Sequence, residues 1–156
     1  MATQPLEIKA SIKILKPPHE VFEAIVDPQK MSGYFISEST GRMESNTSLV
    51  WKFPELDMEF PVRVLKVEPT FISFTWNDVD GTETTTEITL KPMPANETLV
   101  SIIEKGRNND EEGINWLRRN TEGWANFLAC LKAYLEYGIN LRKGAFDLSQ
   151  MPEFHQ

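Results

Sequence analysis

Two histidines, one cysteine and one strand-end carboxylate are the residues with which this chain could do chemistry. Nucleophilic catalysis needs a serine or cysteine poised beside a histidine that a third group orients. His19 falls in the first turn of a helix read from spacing, and His155 lies near the C-terminus. Cys130 precedes Leu131 on a long helix with no histidine at helical spacing. A serine or cysteine hydrolase is therefore not expected. Cys and His do not cluster at zinc-ligand spacing, so no metal is expected. The glycines are isolated, with neither a phosphate loop nor a dinucleotide fingerprint, so no cofactor is expected either.

Glu104 offers more. It stands two and four residues after Ile102 and Val100, so it shares their face of a strand. If that face is concave, Glu104 is a carboxylate inside a cavity, with general-base competence. The opposite face, Leu99, Ser101 and Ile103, is equally apolar. The expectation adopted is the plainer one, an exposed strand-end acid paired with a lysine. Aromatic residues are the stronger signal. Trp51, Phe53, Phe60, Phe74, Trp76, Trp124 and Phe127 fall mostly on inward positions of facing elements. Singly, each is core filling. Together they could line a pocket for an apolar ligand, with the hydroxyls of Thr84, Thr86 and Ser101 holding a polar head and Tyr34 or Tyr134 orienting it.

The elements that position these residues follow from periodicity. Residues 6–15 alternate apolar and polar, the mark of a half-buried strand. Pro17 and Pro18 end it and suit the first turn of a helix. Val21, Phe22, Ile25 and Val26 then recur at helical spacing, and a second short helix is read over 28–34. Short alternating strands follow at 36–39, 49–53, 60–64, 72–76, 82–90 and 98–104, joined by turn chemistry such as Asp78-Val79-Asp80-Gly81. That succession is an antiparallel meander. Asn109 with Glu112 three residues on reads as the capped start of a helix reaching about Leu141. Its apolar face carries Leu117, Thr121, Trp124, Leu128, Leu131, Leu135 and Ile139, and its length is on the order of 45 Å. The sheet must cover its apolar face, and this helix is the element long enough to do so. The fold class is α+β, one domain over residues 1–141 with a C-terminal tail at 142–156.

A net charge of −7 argues against a nucleic-acid binder, which needs a basic face. No apolar run approaches the roughly 20 residues of a membrane span. The N-terminal residues lack the basic and apolar regions of a secretory signal, and a single cysteine leaves no trace of oxidative folding. A cytoplasmic protein is expected.

The segment Lys16-Pro17-Pro18-His19-Glu20-Val21-Phe22-Glu23-Ala24-Ile25, then Asp27-Pro28-Gln29-Lys30-Met31, then Glu122-Gly123-Trp124 with Phe127-Leu128, Leu131-Lys132 and Tyr134-Leu135-Glu136, resembles the START-like, or SRPBCC, superfamily. Within it the chain is similar to the family of the activator of heat-shock-protein-90 ATPase. The resemblance covers residues 6–141, and the Gly-Trp step is its most specific element. It implies a helix-grip fold, in which a curved antiparallel sheet of six to seven strands wraps the long C-terminal helix, with two short helices after the first strand. Two positions depart from the pattern. Many relatives carry Trp-Phe where this chain has Gly33-Tyr34-Phe35, and the glycine-rich turn before the third strand is reduced to Gly41 and Asn46.

The resemblance implies a cavity that often takes hydrophobic or lipid-like molecules. The expected function is binding of an apolar or amphipathic small molecule between helix and sheet, without established catalysis. The ligand-binding residues expected are Trp51, Phe74, Trp76, Thr86, Ile88, Trp124, Leu128 and Leu131. A fully packed interior, with no void larger than a water, would sink that reading. A co-chaperone-like module that binds a chaperone through an exposed patch is one alternative. A cyclase-like or hydrolytic enzyme using a cavity carboxylate such as Glu104 is another.

Overall fold

The computed structural model describes residues 4–146. Strand β1 (Leu6–Ile14) is followed by helices α1 (Pro18–Val26) and α2 (Pro28–Met31), and then by β2 (Glu38–Ser39), β3 (Thr47–Lys52), β4 (Glu59–Glu68), β5 (Phe71–Asn77), β6 (Glu83–Met93) and β7 (Glu97–Arg107). The long helix α3 (Glu111–Tyr137) completes the order. The strands form one curved antiparallel sheet in the order β1-β7-β6-β5-β4-β3-β2. All but β1 therefore follow as a meander, and β1 closes onto the last strand. This is the helix-grip architecture that the sequence resemblance implies.

Local chemistry sets the boundaries. Asp27 caps α2, its carboxylate accepting from the Gln29 amide at 2.9 Å. That helix is shorter than the 28–34 expected, because Gly33 and Tyr34 already turn the chain. The α3 cap is one residue later than the Asn109–Glu112 pattern suggests: Asp110 accepts from the Gly113 amide at 2.8 Å. At the other end Gly138 takes a left-handed φ of 68° and stops the helix before Leu141. Its 27 residues still span about 40 Å. Both hairpin strands β6 and β7 run longer than expected, since Pro92 sits near the strand end and a short 3-10 turn at Pro94–Asn96 makes the reversal.

The core lies between the concave face of the sheet and the helices. Inward positions are Ile8 and Ile14 on β1, Val62 and Val64 on β4, Ile72 and Phe74 on β5, Thr84 to Leu90 in alternation on β6, and Val100 and Ile102 on β7. The backbone of α3 runs closest to β1, where the Leu15 amide donates to Glu136 at 2.8 Å and Lys132 to the Lys13 carbonyl at 2.8 Å. Over β3 to β6 the backbones stand farther apart, and aromatic side chains fill the distance. Among the described residues, no helix is long and apolar enough to cross a membrane.

Candidate functional site

The eight residues expected to line a pocket share one interior. Trp51, Phe74, Thr86, Ile88, Trp124, Leu128 and Leu131 are buried, and Trp76 is half-buried. Their rings touch in series. Trp51 stands 5.4 Å from Phe74 and 5.9 Å from Trp76 between centroids, and Trp76 stands 5.7 Å from Trp124. Phe35 enters the same cluster from the segment after α2, 4.7 Å from Phe127 and edge-on to Trp51 at 5.5 Å. Between them remains a void of about 10 Å³, lined by Trp51, Phe74, Ile88 and Trp124 among the expected residues. That is the room of a single water. These residues thus pack together with no ligand-sized space between them, and Trp76, Thr86, Leu128 and Leu131 do not line the void.

Glu104 overturns the expectation of an exposed, lysine-paired acid. Its side chain points inward and is fully buried. The register explains why: Glu104 pairs with Thr86 across β6–β7, so it falls on the face that Thr84 and Thr86 present to the interior. Oε2 accepts from Trp76 Nε1 at 2.9 Å and from the Thr84 hydroxyl at 2.6 Å. Oε1 accepts from Trp124 Nε1 at 2.7 Å and from Asn120 Nδ2 at 3.1 Å. Four neutral donors thus fill the four lone-pair positions of one carboxylate. No Lys or Arg is bonded to it. Two of the donors come from α3 and two from the sheet, so Glu104 moors the helix to the strands.

A second, partly buried charge cluster sits three residues on, where the β5–β6 turn meets β7 and α3. Asp78 is bonded by both Arg107 and Arg119, and Asp80 takes a second, two-point contact from Arg107 at 2.8 and 2.9 Å. The Arg107 guanidinium, with help from the Thr82 amide, lowers the Asp80 carboxyl to a pKa of about 2. Gly106 makes this geometry accessible. Its φ is 128°, and a Cβ there would meet the Glu83 carbonyl at 2.9 Å.

Among the described residues, two polar atoms of the concave face are buried without partners, Thr86 Oγ1 and Trp51 Nε1, and Trp116 Nε1 is a third near the start of α3. Buried polar atoms are nearly always hydrogen-bonded, so each of these calls for a reason. The other hydroxyls expected near a ligand are elsewhere. Ser101 faces outward, between inward Val100 and Ile102. Tyr34 donates to the Ala24 carbonyl at 2.7 Å, and burial pushes its phenol well above the usual range, so it ties α2 to α1 rather than reaching a ligand. Gly33 leaves the space that the Tyr134 ring occupies.

His19 is exposed and Cys130 is a buried free thiol. Burial raises the Cys130 pKa, the opposite of an activated nucleophile. Among the described residues, no group of three or more His, Cys, Asp or Glu could hold a metal ion. His155 lies outside the described residues, as does most of the expected tail. Arg142 bonds Glu55 at 2.8 Å and covers the Phe35 and Phe53 rings.

Asn120, Trp116 and Phe35 were not anticipated. Asn120 and Trp116 stand four and eight residues before Trp124, so the Trp124 row itself was the signal.

Comparison with known proteins agrees with this geometry. Residues 16–136 match the family described as activator of Hsp90 ATPase homolog 1-like protein. The crystal structure of SSP2350 from Staphylococcus saprophyticus is similar at 31% identity and a TM-score of 0.76, over 88% of this chain and 96% of that one. DynU16, a putative protein in the dynemicin biosynthetic locus, is similar at 24% identity and 0.75, over 85% of this chain but 48% of that one. The Aha1 dimer from Colwellia psychrerythraea is similar at 20% identity and 0.69, over 85% of this chain and 98% of that one. The latter two likenesses speak to fold alone. A search of the curated proteins found no match. With the matched segment, the strand order and the long gripping helix in agreement, this chain belongs to the activator of Hsp90 ATPase homolog 1-like family of the START-like superfamily.

Proposed function

We propose that this protein binds an apolar or amphipathic small molecule between α3 and the concave face of the sheet, in a conformation opened from the one described. The observation that carries the reading is Glu104, a fully buried carboxylate held by four neutral donors at the seam where helix and sheet meet. A core built for stability alone has no need of such a group. Replacing buried charge by well-packed apolar residues is often neutral or stabilising. Trp51, Phe74, Trp76, Ile88, Trp124, Leu128 and Leu131 are the proposed apolar contacts, and Thr86 a polar one. Phe35 and Phe127, which help to close the void, stand on the segment after α2 and on α3, so their displacement leaves the strand ladder intact.

The filled interior sets the terms of binding. About 10 Å³ admits no ligand, so part of the binding energy goes into moving side chains. Catalysis is a weaker reading. Every lone pair of Glu104 is occupied, which suits anchoring better than proton abstraction.

The closed interior is also the specific observation that favours a second reading, a surface module for a chaperone or another protein. Native mass spectrometry with denaturing extraction separates the two. A stoichiometric small molecule carried through purification, or a mass shift on adding aromatic polyketides or lipids, is the expected result. A clean apo mass that no such addition shifts would overturn small-molecule binding and favour the surface module.

A further inference from the structure

Two acid-centred clusters meet β7 three residues apart, at Glu104 and at Arg107, and only the second is partnered by arginine. Arg107 and Arg119 balance Asp78 and Asp80, two positive against two negative. Both arginines are engaged there, and the four groups bonded to Glu104 are all neutral. On the strand beside it, directly across the register, Thr86 offers a buried hydroxyl with no partner. Paired across the register, the Glu104 carboxyl and the Thr86 hydroxyl lie side by side on the concave face. The aromatic cluster on that face, Trp51, Phe74, Trp76 and Trp124, favours a cation over an anion through its ring faces.

Resting on the binding reading above, we infer that the ligand of this seam is an organic amine, protonated and carried on an apolar ring-bearing body, whose ammonium N–H groups bridge Glu104 and Thr86. The ammonium supplies the cation that the four donors to Glu104 do not. Its way in is past Asn120. That side chain is half-buried, and its contact with Glu104 is the longest of the four at 3.1 Å. An incoming N–H replaces the Asn120 amide at Oε1, donor for donor, while Trp76, Thr84 and Trp124 keep their bonds. The unpartnered Trp51 Nε1 points to an acceptor, such as a carbonyl or ether oxygen, elsewhere on the same molecule. A fatty acid is disfavoured, because its carboxylate would lie against Glu104.

The test uses three probes with one body and three head groups, naphthylethylamine, naphthylethanol and naphthylacetate, titrated into the full chain by calorimetry. The amine is expected to bind about tenfold or more tighter than the alcohol, with the acid weakest. Glu104→Gln is expected to erase the amine-over-alcohol preference, a ratio that a purely structural role would not move. Should that variant fail to fold, Thr86→Val carries the test, with a several-fold loss for the amine and no loss for the alcohol. An alcohol or acid that binds as well as the amine overturns the amine assignment and leaves small-molecule binding standing. So does a preference that survives in the variants. No heat from any probe, together with an apo native mass, overturns both.

Discussion

Glu104 and Asp78 are both buried acids at one end of the same seam, and the protein treats them in opposite ways. Asp78 sits at the β5–β6 turn with a side chain 5% exposed and two arginines bonded to it, one from β7 and one from α3. Glu104 is 0% exposed and has none. Its four partners are two indoles, a hydroxyl and an amide. Ion pairs close a turn onto a helix and are complete in themselves. Four neutral donors bring no cation to Glu104, and a partner molecule can. The first cluster is read as a latch and the second as a recognition site.

The comparison breaks most visibly when Glu104 is removed. Glu104→Ala strands four donors, of which Thr84 and Trp124 are buried, and is expected to cost more than about 3 kcal/mol, measured by urea denaturation. A loss under about 1 kcal/mol would mean that water or a repacked side chain takes over its bonds. Asp78→Ala leaves Arg107 with Asp80 but deprives Arg119 of its partner, so the expected loss is smaller, about 2 kcal/mol. If the latch holds the turn over the seam, this variant also binds the amine probe faster without a change in its preference over the alcohol.

Asp80 gives a smaller, pH-dependent effect. Its folded pKa, about 2, lies below the ordinary 3.8. The stability it contributes is therefore complete above about pH 4 and is lost as the pH falls towards 2. Its side chain is 39% exposed, so solvent and salt screen much of that contribution. Asp80→Asn is expected to flatten the acid limb of a stability profile between pH 4 and 2 and to leave the neutral region nearly unchanged. An unaltered limb would assign the acid loss to other carboxylates. Least of all in stability is Thr86→Val. Its hydroxyl bonds nothing, so the isosteric methyl is expected to be neutral or slightly stabilising in thermal denaturation, while the amine probe weakens. A loss above about 1 kcal/mol would mean that Thr86 is bonded after all and would remove it from the recognition site.

Much of the fold was legible because its signals are local and repeat. Alternation gave β1, β5 and β6, paired prolines gave the start of α1, and the leucine stripe with Trp124 gave α3. The end of α3 was misjudged because Ile139 and Leu141 continue the apolar spacing past Gly138, and a left-handed glycine overrides periodicity. The direction of Glu104 was beyond local reading. Both faces of β7 are apolar, Val100 and Ile102 on one side and Leu99 and Ile103 on the other, so only pairing with Thr84 and Thr86 on β6 decides which turns inward. Whether the seam is open or filled could not be read either. The same aromatics that line a cavity also plug it, and Phe35, in a segment with little periodicity, supplies the ring that completes the plug.

The four tryptophans of the chain make the central claim directly observable, since each indole N–H gives its own signal in a nitrogen–proton correlation spectrum. Trp76 and Trp124 report on Glu104, Trp51 on the unpartnered donor, and Trp116, fully buried under the start of α3, is the internal control. On titration with naphthylethylamine, the signals of Trp51, Trp76 and Trp124 are predicted to shift together to saturation while Trp116 stays in place. Shifts confined to surface amides, with all four indoles unmoved, would contradict a binding site between helix and sheet.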